Sequence, residues 1–113
     1  MKRDNGVYLH HIRDAIERVE RHLAELSREE FLESELVQDA VVRQLEIIGE
    51  AARNLSDDLR QAHAEVPWTE IVGMRNRLIH AYFQVDLEIV WEIVQVDLPL
   101  LKGQIERLVE SEG

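Results

Sequence analysis

Apolar residues recur along this chain with a helical period almost from end to end. Tyr8, Ile12, Ile16, Val19, Leu23 and Leu26 follow one another at spacings of three and four. This is the signature of an amphipathic helix, and it predicts a first helix from about Asp4 to Leu26. Ser27-Arg-Glu-Glu30 has the form of a capping box, with Ser27 as the cap and Glu30 reaching back. A short helical turn carrying Phe31 and Leu32 is expected after it. A long helix then runs from near Ser34 to near Leu55. One apolar stripe on it holds Val37, Val41, Leu45, Ile48, Ala52 and Leu55, and a second, displaced stripe holds Leu36, Ala40, Ile47 and Ala51. Apolar surface around so much of a helix calls for more than one neighbour, and in so short a chain a second subunit is a ready source of one.

Ser56-Asp-Asp-Leu-Arg reads as a break with a new cap, followed by a polar, exposed segment to Glu65. Pro67 suits the first turn of a helix and Trp68 suits packing it down, so a third helix is expected over roughly 67–82. Asp86 is placed to cap a very apolar segment with Leu87, Ile89, Val90, Trp91, Ile93 and Val94. Asp97 and Pro99 mark a fresh helix start or a kink, and a last helix with Leu101, Ile105 and Leu108 runs into a polar tail. The β-branched run EIVWEIVQV also suits a strand, but no hairpin signals flank it. The fold class expected is all-α: one domain over 1–113, an up-and-down bundle of four to five helices that dimerises through helix faces.

Composition narrows the chemistry. With 45% hydrophobic residues, a core is affordable without metal or disulfide staples. The chain has no cysteine, which excludes disulfides, thiol catalysis and cysteine-based zinc sites. No apolar run reaches eighteen residues, and MKRDNGVY lacks the apolar stretch of a signal peptide. A soluble cytoplasmic protein with no membrane contact is expected. The net charge of −10 argues against a non-specific grip on nucleic acid, while leaving room for a small cationic site. Only two of the thirteen basic residues are lysines, a bias that suits planar, bidentate contacts.

The richest polar cluster is GMRNRLIHAYF, residues 73–83. On a helical wheel Trp68, Ile71, Met74, Leu78 and Tyr82 share the core side. Gly73, Asn76 and His80 lie on another side at three- and four-residue spacing. Arg75 is roughly 140° from His80 on an ideal helix, within reach of a long side chain near a helix end. A mid-helix glycine at Gly73 costs about 1 kcal/mol against alanine, a cost usually offset by close approach of a backbone or ligand. Such a set suits RNA cleavage, which needs proton transfer at the 2′-OH and the 5′ oxygen and positive charge on the phosphorane-like transition state. Histidine titrates near neutrality, arginine is a permanent cationic fork, and no metal is required in principle. One His80 cannot easily serve both proton transfers, but a two-fold seam brings two copies together. On spacing alone, the same residues are more simply an ordinary solvated face in which Asn76 and His80 make an i,i+4 contact.

Arg75-Asn76-Arg77-Leu78-Ile79-His80-Ala81-Tyr82 resembles the RxxxxHxY motif of the HepT-like subgroup of HEPN domains. The blocks RQLEIIGEAARNL (43–55), VPWTEIVGMRNRLIHAYF (66–83) and VDLEIVWEIVQVDLPLL (85–101) are similar to the three recurrent blocks of that family, so the likeness covers nearly the whole chain. It implies an all-helical homodimer, or a higher oligomer, in which motif arginines and histidines of two subunits face a shared cleft. It further implies a metal-independent endoribonuclease toxin that needs no cofactor and acts on RNA. Its antitoxin partner would be a nucleotidyltransferase of the MNT type. Carried over residue by residue, Arg75 and His80 are the catalytic pair, Asn76 is the polar helper, and Tyr82 is the tyrosine that such a partner modifies with AMP. AMP there would crowd the site and add negative charge beside Arg75. On the wheel alone, Tyr82 is equally a packing residue.

Outside the motif, Glu50 is placed to orient Arg75 or His80, or is an exposed carboxylate. Arg53 and Arg77 offer phosphate contacts or are surface charges. His10, His11, His22 and His63 form no HExxH-type pair, and no metal site is expected. Trp68 and Trp91 are expected as core anchors. The carboxylates of residues 17–35 read as an acidic surface suited to a basic partner. A different class of function, a non-catalytic helical dimer that docks a nucleotidyltransferase and binds a nucleotide, keeps the same fold and motif.

Overall fold

The computed structural model describes residues 4–80 and 84–112, the side chains of residues 79, 80 and 84 excepted. The fold is all-α. Its frame is three long helices, α1 (Asn5–Leu23), α3 (Glu35–Arg53) and α8 (Leu98–Glu112), with shorter helices between them. Helix α1 packs chiefly on α3 and then on α8, burying Leu9, Ile12, Ile16 and Val19 against Leu45, Ile48 and Ile105. The predicted stripe on α3 is the buried one: Val41, Leu45, Ile48, Ala52 and Leu55 are all within the core. The displaced stripe divides. Ala51 is buried and Ala40 and Ile47 are half-buried, but Leu36 is 81% exposed.

The helix starts follow the capping residues. Asp4 accepts from the Val7 amide and caps α1. Ser27 accepts from the Glu30 amide at 3.1 Å while Glu30 accepts from the Ser27 amide at 2.9 Å, closing the capping box of α2 (Arg28–Glu33). These bonds hold the Glu30 carboxyl below its ordinary range, the amide bond from Ser27 first. Ser34 caps α3. Ser56 caps α4 (Asp57–Ala62) and also exchanges two hydrogen bonds with Asn5, at 3.0 and 3.1 Å, tying the start of α1 to the start of α4. Segment 56–65 is therefore more than a polar surface: Leu59 is buried and pins α4 to the core.

Two boundaries differ from the sequence expectation. The helix expected over 67–82 is two short ones, α5 (Trp68–Val72) and α6 (Met74–Leu78), joined at Gly73. After Leu78 the chain leaves the helix, and β1 (Ile79–His80) pairs antiparallel with β2 (Gln84–Val85), Ile79 opposite Val85 and His80 opposite Gln84. The Leu78 carbonyl accepts from the Asp86 amide at 2.9 Å, while Asp86 caps α7 (Leu87–Glu92) through the amides of Glu88 and Ile89. A turn and a cap thus take the backbone groups that a longer helix would need. The second difference is at Pro99, where the chain neither stops nor restarts. A π turn over Ile93–Asp97, with the Leu98 amide bonded to the Ile93 carbonyl, joins α7 to α8. Proline has no N–H and its ring crowds the carbonyl one turn back; widening the helix just before it accommodates both.

The predicted core side of 67–78 is correct. Trp68, Ile71, Met74 and Leu78 are buried, and the Trp68 indole N–H donates to the His63 carbonyl at 2.9 Å. Trp91 is half-buried with its ring 5.4 Å from that of Phe31. At Gly73 an added Cβ would meet only its own preceding turn, the Thr69 carbonyl at 3.3 Å. The close approach between helices lies instead at Gly49 of α3, where a Cβ would sit 2.9 Å from the Ile71 carbonyl oxygen and 3.3 Å from Met74 Cβ.

Three expectations follow. Ser27→Ala should cost about 1 kcal/mol in urea unfolding, the usual worth of a serine cap. Because the folded-state pKa of Glu30 is lowered, its contribution is fully present above the ordinary carboxylate range and is lost as pH falls through the lowered value. The protection of α2 amides against exchange, relative to an unstructured peptide at the same pH, should fall in that acidic window in the wild type, and this pH dependence should vanish in Glu30→Gln. Gly49→Ala should destabilise by about 1–3 kcal/mol, read in the same urea titration, because a backbone carbonyl stands where the methyl would go.

Candidate functional site

Helices α3, α5 and α6 enclose a cleft of about 350 Å³. Its lining comes from one flank of α3 (Arg43, Glu46, Gly49, Glu50 and Arg53), from Val72 of α5, and from Arg75 and Asn76 of α6. Gly49 explains why the cleft exists in this form. With no side chain there, the α5–α6 backbone settles directly on α3, and the first turn of α6 projects Arg75 and Asn76 over the row of charged residues above and below the glycine. On α3 those residues recur at i, i+3, i+7 and i+10, which places Arg43, Glu46, Glu50 and Arg53 along one side.

Four of the residues singled out from sequence therefore meet: Arg75, Asn76, Glu50 and Arg53. Arg77 does not join them. It points to the other side of α6 and pairs with Asp97 at 3.3 Å. His80 follows two residues after α6, on β1, so its position relative to Arg75 is set by the end of a helix and not by a helical wheel. Tyr82 lies outside the described residues. Arg43 and Glu46 were missed in the sequence reading, although both share the spacing of Glu50 and Arg53; the signal was present and hidden in an ordinary amphipathic pattern.

The electrostatics of the cleft are mixed. Arg43, Arg53 and Arg75 are exposed, and among the described residues none of them has a carboxylate within 4.0 Å, a state they share with Arg18, Arg21 and Arg107, whereas Arg13, Arg28, Arg60 and Arg77 are paired. Three unpaired guanidinium groups around one concavity, in a chain of net charge −10, form a local positive site that an anion with several oxygens can bridge. Glu46 and Glu50 line the same cleft and limit how much negative charge it can hold. Asn54, one turn beyond Glu50, donates its side-chain N–H to the Glu50 carbonyl at 2.9 Å and closes the last turn of α3. Among the described residues no helix is long and apolar enough to cross a membrane.

Known proteins share this sequence over most of its length. A protein of Thermococcus cleftensis named "Probable ribonuclease HepT" is 47% identical over 108 residues, covering 96% of this chain and 98% of its own. A Methanocaldococcus jannaschii protein, named as a gamma-glutamylcyclotransferase and provisionally as an RNase, is 42% identical over 111 residues. That match covers 98% of this chain but 50% of the longer relative. A Caldanaerobacter subterraneus protein, also provisionally named an RNase, is 41% identical over 105 residues, covering 93% of this chain and 94% of its own. No solved structure matches the chain. The family model described as "Ribonuclease HepT-like" matches residues 12–108, a span that runs from the core of α1 through the cleft to the last buried turn of α8, and the chain belongs to that ribonuclease HepT-like family of the HEPN superfamily.

Proposed function

We propose that the protein is a metal-independent endoribonuclease that cuts RNA at the α3–α6 cleft. The observation that carries this reading is the convergence of Arg75 and Arg53, unpaired, from two different helices onto one concave site, in a chain of a ribonuclease family. In the reaction the 2′-oxygen of one nucleotide attacks the adjacent phosphorus. A base removes the 2′-OH proton as the O2′–P bond forms, and an acid protonates the 5′ oxygen as the P–O5′ bond breaks. The products are a 2′,3′-cyclic phosphate and a 5′-hydroxyl end. Arg75 binds the non-bridging oxygens as negative charge builds on them, Asn76 donates beside it, and Glu50 faces them across the cleft. Arg53 holds a neighbouring phosphate. His80 moves the protons, a role for which histidine as a residue type is suited at neutral pH. The nucleophile is part of the substrate, so the chemistry is complete with side chains alone.

One chain supplies one His80, and two proton transfers call for two groups. A homodimer answers this, with a two-fold axis bringing a second motif to the cleft; the exposure of Leu36 on α3 supports an apolar contact between copies. We assign the protein the role of toxin, restrained by a nucleotidyltransferase antitoxin of the MNT type that transfers AMP to Tyr82. The added phosphate would compete for Arg75 and place negative charge where RNA must bind. The net charge of −10 favours a second reading, a helical dimer that docks such a partner and binds a nucleotide without cutting RNA.

Cleavage of a mixed RNA pool in EDTA by wild type, Arg75→Ala and His80→Ala separates the two readings. Loss of the arginine should slow cleavage by about 10²–10³-fold and loss of the histidine by about 10²–10⁴-fold. Cyclic phosphate ends should be produced, and both variants should stay folded. Equal, faint cleavage by all three would leave the docking reading in its place.

A further inference from the structure

The flank of α3 that lines the cleft also lines a neighbouring space. This space, between α1 and α3, is a second and smaller pocket of about 180 Å³, which shares Arg43, Glu46 and Glu50 with the cleft. Its far wall is of another character. Tyr8 and His11 of α1 meet edge to face with ring centroids 6.1 Å apart, and Ile47 supplies apolar surface from α3. Across the two adjoining pockets, the lining thus changes from guanidinium groups to aromatic and aliphatic groups, with Arg43, Glu46 and Glu50 common to both.

We infer that this second pocket is a nucleobase subsite for the nucleotide next to the phosphate held in the cleft, and that it prefers guanine and disfavours uracil. The inference rests on the RNA reading of the cleft. A nucleotide has the matching two-part chemistry: an anionic phosphate for Arg43 and a flat π-system for the Tyr8–His11 wall, where stacking on aromatic side chains binds any base. Selectivity comes from the carboxylates. A carboxylate only accepts hydrogen bonds. Guanine offers two adjacent donors, N1–H and the exocyclic N2–H, which match the two oxygens of one carboxylate. Uracil offers a single N3–H flanked by two carbonyl oxygens that a carboxylate repels. Glu46 is half-buried and bounds both spaces, which makes it the reader. This also gives the carboxylates, unfavourable for phosphate, a positive part in binding.

The test uses the whole protein and fluorescein-labelled 2′-O-methyl octamers, which bind but cannot be cleaved because the 2′ oxygen is blocked. An all-uridine octamer and one with a single central guanine are compared by anisotropy in wild type, Tyr8→Ala and Glu46→Gln. The guanine probe should bind the wild type about tenfold more tightly, the discrimination of one good bidentate pair. Glu46→Gln should bring the two probes within about twofold of each other, since an amide presents a donor where guanine needs an acceptor. Tyr8→Ala should weaken both probes together. Glu46→Gln changes no volume in the core and keeps the test decisive if Tyr8→Ala fails to fold. Equal binding of the two octamers by wild type, a preference that survives Glu46→Gln, or no binding of either probe overturns the subsite. Cleavage is scored separately: a protein that prefers the guanine octamer yet cuts no RNA would lose the enzyme reading and keep the subsite.

Discussion

The contact between the backbone of α5–α6 and Gly49 of α3 is the constraint on which the site depends. A carbonyl 2.9 Å from where a Cβ would stand leaves no room for a side chain, so the α5–α6 backbone lies directly against α3. The consequences spread in both directions. Toward the core, Ile71 and Met74 are driven in beside Ile48 and Ala52. Toward solvent, the α6 residues Arg75 and Asn76 arrive over the charged flank of α3. One missing methyl group thus sets the width of the cleft and the distance between its two walls.

Charge is distributed with the same economy of means. A chain with ten more acidic than basic groups repels polyanions at long range, so any hold on a phosphate must be local and made at short range, where desolvation and bidentate geometry count for more than net charge. Among the described residues Arg43, Arg53 and Arg75 have no carboxylate within 4.0 Å, which leaves them open to a ligand, while two other arginines join elements. Arg28 bonds Glu88 across from α2 to α7, and Arg77 bonds Asp97. The one lysine within the described residues does the same: Lys102 of α8 bonds Glu20 of α1 at 3.0 Å, and that bond holds its pKa above the ordinary value. The acidic surface is then a filter that lets the cleft compete only for ligands that reach it.

Much of the architecture was legible because it rests on local chemistry. Caps at Asp4, Ser27, Ser34, Ser56 and Asp86 are decided by a side-chain oxygen and an amide three residues or fewer away, and the core stripes by a period of 3.6. The end of α6 was not legible. Helix periodicity in 74–82 continues past Leu78, but the Asp86 amide takes the Leu78 carbonyl and Val85 pairs with Ile79, partners that lie five or more residues downstream. The π turn before Pro99 belongs to the same class. A proline marks a disturbance in sequence, yet whether the helix stops, kinks or widens depends on the packing on both sides, here of Ile93, Val94, Leu98 and Leu101.

By itself the sequence determined the all-α class, the side-chain-capped helix starts, the main buried faces and the motif residues that name the family, because each follows from period, cap or pattern within a few residues. The tertiary structure decided which charged residues share a cleft. Arg75 and Arg77 are indistinguishable by composition and two positions apart, yet one lines the site and the other ties α6 to Asp97. Arg43 and Glu46 gain their place only because α5–α6 and α1 flank the same helix. Side-chain direction on a short helix is resolved by what stands opposite, and what stands opposite is a property of the fold, set here by the absence of a Cβ at Gly49.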